Sequence, residues 1–462
     1  MRVTATGNSA YPRDANNGSL WAGRGFSGGF EAGVRFRYGV VSGAIAPGLF
    51  YQRNRSFSVP QSVAPGVSPF AYPWHGATID WPTRHGSDHD TRVDLGQSFV
   101  RVDTHGLTFG LSNENLWWGP ALQNPILFSN TAPGFPHAFF GLSRPVDIAV
   151  GRFEAEMLWG LVRESDFFDI DPDNDRRLVA AVITDFEPRG LPGLYLGIAR
   201  TYMATVPAEG FSLSEYIFNP YRDVRENPDP IAGPGIADNQ ILSFFGRWAF
   251  PEVGFEVYAE WARDDHWTNG DDFIKEPDHS QVYTIGLQKV VEYREAGSPP
   301  SRWLRLRAEL THLEGALPLR GGRGIVTLYT NSSVPQGHSH RGQLLGAAIG
   351  PGSDAQLIGA DLFTPRGRFG IYAQRIRFDD DAYYANFANV FGRRGHDVEL
   401  TFAARGRYFV STFDLDFELN YSPRYNRNFD FDGTTPDALF TDHNLGFLLT
   451  LAWRPTLSWP AF

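Results

Sequence analysis

Apolar and polar residues alternate one by one through long stretches of this chain. In "RWLRLRAELTHLE", Leu304, Leu306, Ala308 and Leu310 oppose Arg305, Arg307, Glu309 and Thr311. "VGFEVYAEWAR" sets Val253, Phe255, Val257, Ala259 and Trp261 against Glu256 and Glu260. "GGFEAGVRFRYG" sets Phe30, Ala32, Val34, Phe36 and Tyr38 against Glu31, Arg35 and Arg37. "NLGFLLTLAWR" puts Leu445, Phe447, Leu449, Leu451 and Trp453 on one side. Residues 408–421, "YFVSTFDLDFELNY", read as one long strand. Its apolar face carries Phe409, Phe413, Leu415, Phe417, Leu419 and Tyr421, and its polar face Thr412, Asp414, Asp416, Glu418 and Asn420. A period of two marks a β-strand whose faces meet different surroundings. About sixteen such segments recur, with weaker ones near 89–94 and 325–330, and helical periodicity is almost absent.

The segments run to about ten residues, against roughly five or six for an ordinary soluble strand. Ten residues reach about 33 Å, and a tilt of about 40° leaves about 25 Å, the height of an outer-membrane apolar band. A soluble sandwich or propeller shares the alternation. Against it stand the polar faces, which carry charges of both signs. A crowded lumen tolerates such a face, whereas an arginine facing mid-bilayer costs roughly 2–4 kcal/mol. Many segments also begin or end in Trp, Tyr or Phe, as aromatic girdles do. The expected fold is therefore all-β: a large transmembrane antiparallel barrel of about 16–18 strands with long loops, one domain over residues 1–462. The regular pattern stops at Trp453, leaving "PTLSWPAF" as a tail.

Composition supports this picture. Aromatic residues reach 15%, with 37 Phe, 18 Tyr and 12 Trp, as apolar–polar boundaries favour. The net charge of −11 argues against nucleic acid, which needs a basic face. With no cysteine there are neither disulfides nor thiolate metal sites. The opening "MRVTATGNSAYPRDANNGS" has no hydrophobic core and is not a signal peptide. A barrel of this kind is then expected to be a mature or truncated chain.

Few segments suggest chemistry. Asp169, Asp171, Asp173 and Asp175 alternate in "DFFDIDPDNDRR", but an EF-hand would need glycine in place of Asn174 and glutamate in place of Ala180. A solvated turn is the simpler reading, also for "FDFDGTTPD" and "FDDDAYY". His85 with His89, and His338 with His340, form pairs without a third ligand at a telling spacing. No nucleophile elbow and no phosphate loop occurs. No enzymatic activity, cofactor or metal is expected.

The unusual stretch is "NENLWWGPALQNPILFSN", residues 113–130, within a Pro/Trp-rich loop over 113–147 expected to fold against or into the barrel. Adjacent tryptophans need cover from the wall, the bilayer interface or a ligand. Tryptophan faces stack on sugar rings, and asparagine and arginine bond hydroxyls. Equally, aromatics can simply pin a loop.

"WWGPALQNPILFSNTAPGFP" resembles the signature of the capsule assembly Wzi family, and "HSQVYTIGLQ" and "NSSVPQGHSHRGQLLGAAIGPGSDAQLIGADLF" resemble later blocks of it. The three blocks stand in matching order over about 113 to 363. The resemblance implies an outer-membrane barrel of about eighteen strands, a lectin that holds capsular or other exported polysaccharide at the cell surface. Outer-membrane lipid and lipopolysaccharide would surround it. The turn departs from the family in having Ala121 where glycine is usual, and no helical stretch before residue 95 matches the helical plug of known members. The candidate glycan-binding residues are Asn113, Trp117, Trp118 and Asn130, then His338, His340 and Arg341. Loop carboxylates Asp379 to Asp381 are further candidates for basic or metal-bridged sugars. The rival is a channel for small solutes, with Arg305, Arg307, Asp414 and Asp416 lining its lumen.

Overall fold

The computed structural model describes residues 1–59, 68–75, 79–81, 84–168, 175–206, 238–264, 278–293, 302–315, 326–332, 334–391, 395–430 and 442–453, together with 210, 217, 274 and 275. Asp169, Asp171, Asp173, most of "FDFDGTTPD" and the tail after Trp453 lie outside these residues.

Twenty-two strand segments join in one sheet, and the last, Asp442–Trp453, pairs antiparallel with the first, Arg2–Asn8. The sheet is thus closed and has no edge. Four segments merely continue another across a break: Val34–Tyr38 extends Gly25–Glu31, Gly48–Asn54 extends Val41–Ile45, Phe99–Thr104 extends Asp88–Asp94, and Val146–Ile148 extends His137–Leu142. Twenty-two less four leaves eighteen staves among the described residues, within the expected range. The weak segment near 89–94 is a strand, and 326–330 is not.

Residues 408–421 are not one strand. Asp397–Val410 ends, Ser411 takes a left-handed φ of 53°, and Phe413–Tyr425 runs back antiparallel, with Val410 opposite Phe413. The turn shifts the alternation by one: Val410 and Phe413 stand opposite each other on the outward face, whereas Phe409, expected on that face, stands opposite Asp414 on the lumen side. Similar tight turns at Gly39–Val40 and His105–Gly106 share this end of the barrel, while the connections 9–24, 55–87, 113–136, 313–353 and 379–396 gather at the other. Short turns face the periplasm and long loops the exterior in outer-membrane barrels.

The two faces follow the sequence alternation. Leu306, Ile358, Ile371, Phe402, Leu419 and Leu445 point outward and are exposed, while Arg305, Asp361, Arg405 and Glu418 point into the lumen. Outward aromatics ring the short-turn end, where the Phe413 and Trp453 rings stack 6.5 Å apart. Among the described residues no helix is long and apolar enough to cross a membrane.

The hydrophobic core lies inside the barrel. Ile79, Trp81, Trp118, Ile126, Leu127, Phe128, Phe135, Tyr329, Val334 and Leu345, all from loops, pack with the lumen-facing Leu158, Val179, Ala199, Ile241, Ala262, Val282, Ala355 and Ile376. The long loops therefore fold inward as a plug. The loop expected over 113–147 ends at residue 136, since His137–Leu142 is already barrel wall.

Candidate functional site

Two wall carboxylates receive the tryptophan loop. The loop leaves the sheet after Ser112 and turns at Gly119, whose φ is 94°. A Cβ there would stand 2.7 Å from Glu260 Oε2, so the turn needs glycine both for its left-handed conformation and for the close approach. The peptides beyond it present their N–H groups to the wall. Leu122, Gln123 and Asn124 donate to the Glu309 carboxylate at 2.7, 3.1 and 2.9 Å, and Ile126 donates to Glu260 at 3.3 Å. The two carboxylates satisfy backbone donors that burial would otherwise strand.

The second inward loop is laid against the first. Tyr329 donates its hydroxyl to Ile126 O at 2.7 Å and accepts from Ala347 N at 2.9 Å. Ser129 N donates to Leu345 O at 2.7 Å, and Gln343 donates to Thr131 O at 2.9 Å. Arg177, fully buried on the wall, donates to the carbonyls of Gly337, Arg163 and Ser339.

The seven residues singled out by sequence have distinct positions in this seam. Asn113 and Arg341, from the two loops, converge on Asp94 at 3.4 and 2.8 Å, and Asn113 also donates to Gly96 O at 3.0 Å. Trp118 is buried, its ring edge-on to Phe128 at 5.0 Å. His338 is buried between Phe128 and Tyr329, and its Nε2 donates to Leu127 O at 2.6 Å. Burial pushes its pKa down to about 4, so the ring is neutral at pH 7. His340 Nδ1 accepts from Arg163 N at 3.0 Å, and burial, with Arg341, Arg177 and Arg92 nearby, also keeps it neutral. Asn130 is half-buried, and its carbonyl accepts from Gly18 N at 2.6 Å.

Trp117 stands apart. It is 37% exposed, its indole N–H donating to Ala121 O at 3.1 Å. It lines a cavity of about 230 Å³ beneath the plug, shared with Asn8, Arg13, Asn16, Asn17, Gln123, Tyr372, Arg405, Glu418 and Asn420. The backbone therefore sends the two tryptophans to different places: one holds the plug and one faces open space in the lumen.

The acidic trio is internal. Asp379, Asp380 and Asp381 are buried, and they accept from His75 and Ala382 N, from His396, and from Gly315 N and Thr327 respectively, while Asp380 also forms an ion pair with Arg377. Asp379 and Asp381 raise the pKa of His75 against the lowering effect of its burial. His312, Glu314 and Asp354 also lie close together, with Arg377 bridging Glu314 and Asp354 at 2.9 and 2.8 Å.

Glu260, Glu309, Tyr329, Tyr372 and Arg405 are the site residues that sequence reasoning did not single out. Glu260, Glu309 and Arg405 are ordinary polar members of alternating strands. Only a carboxylate opposite a neutral stretch of loop backbone would have given the first two away.

The profile of the capsule assembly protein Wzi family matches residues 2–377. Among solved structures the chain is similar to Wzi of Escherichia coli, described as an outer membrane protein involved in group 1 capsule assembly and a carbohydrate-binding β-barrel. That likeness is 12% in identity, covers 97% of this chain and 83% of that one, and has a TM-score of 0.62. The chain also matches OccK2 of Pseudomonas aeruginosa at 11% identity, 97% and 95% coverage and TM-score 0.43. OccAB3 of Acinetobacter baumannii matches at 10% identity, 97% and 97% coverage and TM-score 0.43. No curated protein matches. An apolar outer belt, a polar lumen and eighteen closed staves place the molecule in the bacterial outer membrane, and it belongs to the capsule assembly Wzi family.

Proposed function

We propose that this barrel binds and anchors capsular or other exported surface polysaccharide, and that its role is binding rather than catalysis. The observation that carries the reading is the cavity under Trp117. An exposed indole there is surrounded by five amide side chains, those of Asn8, Asn16, Asn17, Gln123 and Asn420, with Arg13, Arg405 and Tyr372. A sugar presents an apolar C–H face and a rim of hydroxyls, and the lining offers a ring for the first and paired donors and acceptors for the second. Support also comes from the solved Wzi structure, described as carbohydrate-binding. The plug argues against the channel reading, because it packs against staves around the lumen.

The test is binding of the detergent-purified barrel to isolated surface polysaccharide. Trp117→Ala is expected to weaken saturable binding at least tenfold with unfolding temperature nearly unchanged. Trp118→Ala is expected to lower stability by about 3–5 kcal/mol, the usual range for a buried aromatic. Undiminished binding by Trp117→Ala would remove the cavity from the site.

A further inference from the structure

Below the plug, toward the short-turn end, the lumen wall gathers arginines around a single carboxylate. Asp361 is almost fully buried, and Arg305, Arg307, Arg405 and Arg368 approach it at 2.7, 3.4, 3.4 and 3.9 Å. Strand register produces the cluster. Arg305 stands opposite Asp361, Asp361 opposite Gly370, and Gly370 opposite Arg405, while Arg307 stands opposite Gly359. Both glycines make room: a Cβ on Gly370 would lie 2.3 Å from Asp361 Oδ1, and one on Gly359 would lie 3.1 Å from Arg307 Nε.

Asp361 is the one carboxylate among these four guanidiniums, and with Glu418, which stands opposite Arg405, positive charge still exceeds negative. The adjacent Arg407 and Arg247 already have their own partners, Asp416 and Glu256, so the unmatched positive charge is local. It is conspicuous in a chain of net charge −11. Arg307 is sealed in with Nε and Nη2 lacking a hydrogen bond among the described residues. The side chains of Arg305, Arg368 and Arg405 keep 17%, 33% and 19% of their surface open to the lumen.

Aromatic surface flanks this cluster at two levels. Arg405, with Tyr372, lines the cavity that holds Trp117. Arg305, with Trp303 and Phe363, lines a second cavity of about 600 Å³ at the short-turn mouth, shared with Gln288 and Glu256. Along the strand Arg302–His312, Trp303 lies six residues from the Glu309 that holds the tryptophan loop, about 20 Å at the usual strand rise.

We propose that this stretch of lumen, from Trp303 to Trp117, is a binding site for a carboxylate-bearing glycan entering from the short-turn end. Arg368 and Arg405 take the uronate carboxylate in the forked geometry that guanidinium favours, Arg305, whose Nε and Nη2 already bond Asp361, adds its charge, and the aromatics pack on the ring faces. The inference rests on the polysaccharide reading and adds to it a position and a charge.

The test uses the full chain in detergent, read by tryptophan fluorescence. The probes are tetragalacturonate, maltotetraose of equal length, and monomeric galacturonate. Tetragalacturonate is expected to give a saturable change that weakens about tenfold or more between 0.05 and 0.5 M salt. Maltotetraose and the monomer are expected to bind at least tenfold more weakly, the monomer arm separating a glycan site from a simple carboxylate site. Arg368→Gln/Arg405→Gln should lose at least tenfold for tetragalacturonate, while Arg407→Gln, outside the cluster, should not. Equal binding of acidic and neutral tetramers by the wild type would overturn the proposal without recourse to any variant. So would unchanged binding by a folded double variant. Isolated surface polysaccharide serves as the reference: if it binds regardless of these arginines, the lectin reading stands and this site falls, and if no glycan binds, both fall.

Discussion

At Gly119 a single hydrogen decides where two tryptophans go. A φ of 94° costs a side-chain-bearing residue roughly 1–2 kcal/mol in conformation alone, and a methyl group would also press on Glu260 Oε2. Gly119→Ala should therefore unfold at a clearly lower temperature than wild type. Gly106→Ala makes the control, because Gly106 has a φ of 85° but nothing within 4 Å of its would-be Cβ. Equal losses in the two variants would show that the contact with Glu260 carries no weight. His338 sets a pH dependence by the same kind of local constraint. Its folded pKa of about 4 lies below the ordinary value of 6.5, so the folded state resists the proton that the unfolded chain accepts. Stability from this group is complete above pH 6.5 and falls by up to about 3 kcal/mol as pH drops to 4. His338→Gln keeps a donor toward Leu127 O and has no charge to gain, so its unfolding temperature should fall less steeply over that window. Parallel curves for variant and wild type would rule the histidine out as the cause.

Among the elements, the inward loop gains its order from the wall rather than from internal regularity. Glu309 has two oxygens for three loop N–H groups and the Tyr258 hydroxyl, which donates at 2.7 Å. Glutamine offers one oxygen and no charge, so Glu309→Gln should release about 1.5–3 kcal/mol of local stability. Hydrogen exchange at residues 122–124 is the direct reading, and it should quicken roughly ten- to a hundredfold while strand amides hold. Unaltered exchange would mean the loop is held by its apolar contacts alone. The same division explains what the sequence made legible. Strands such as Arg302–His312 and Asp442–Trp453 face lipid on one side and lumen on the other, and period-two alternation reports that difference directly. The turn at Ser411 escaped because Tyr408, Phe409 and Val410 are all apolar and hide the one-residue shift in the alternation. The fate of the loop escaped too, since the N–H groups of Leu122, Gln123, Asn124 and Ile126 are satisfied by partners more than a hundred positions away. Trp117 and Trp118 look alike in sequence, and only the turn at Gly119 separates their surroundings.

For the whole molecule, eighteen staves enclose a lumen that in porins of this size is an aqueous channel. Here that space holds the apolar core, and the contacts run around the wall. Loop residues pack on Leu158, Val179, Ala199, Ile241, Ala262, Val282, Ala355 and Ile376. Tyr11, from the first long loop, holds its hydroxyl 2.7 Å from Ser422 O and 3.0 Å from Glu399. Gln52 donates to Ser19 O at 2.6 Å and closes the remaining side. Ions crossing the barrel would have to part a packed interior, which resists local opening in proportion to the apolar surface it exposes. The purified protein in a planar bilayer should therefore conduct little or nothing. Replacing residues 119–134 by a short glycine–serine linker removes Ile126, Leu127, Phe128 and the partners of Glu309, and that variant should show stepwise conductance. Steady porin-like conductance by the intact chain would contradict the plug and return the charged wall around Asp361 to the role of a pore lining. A silent deletion variant would place closure in the second loop, around Tyr329 and Leu345.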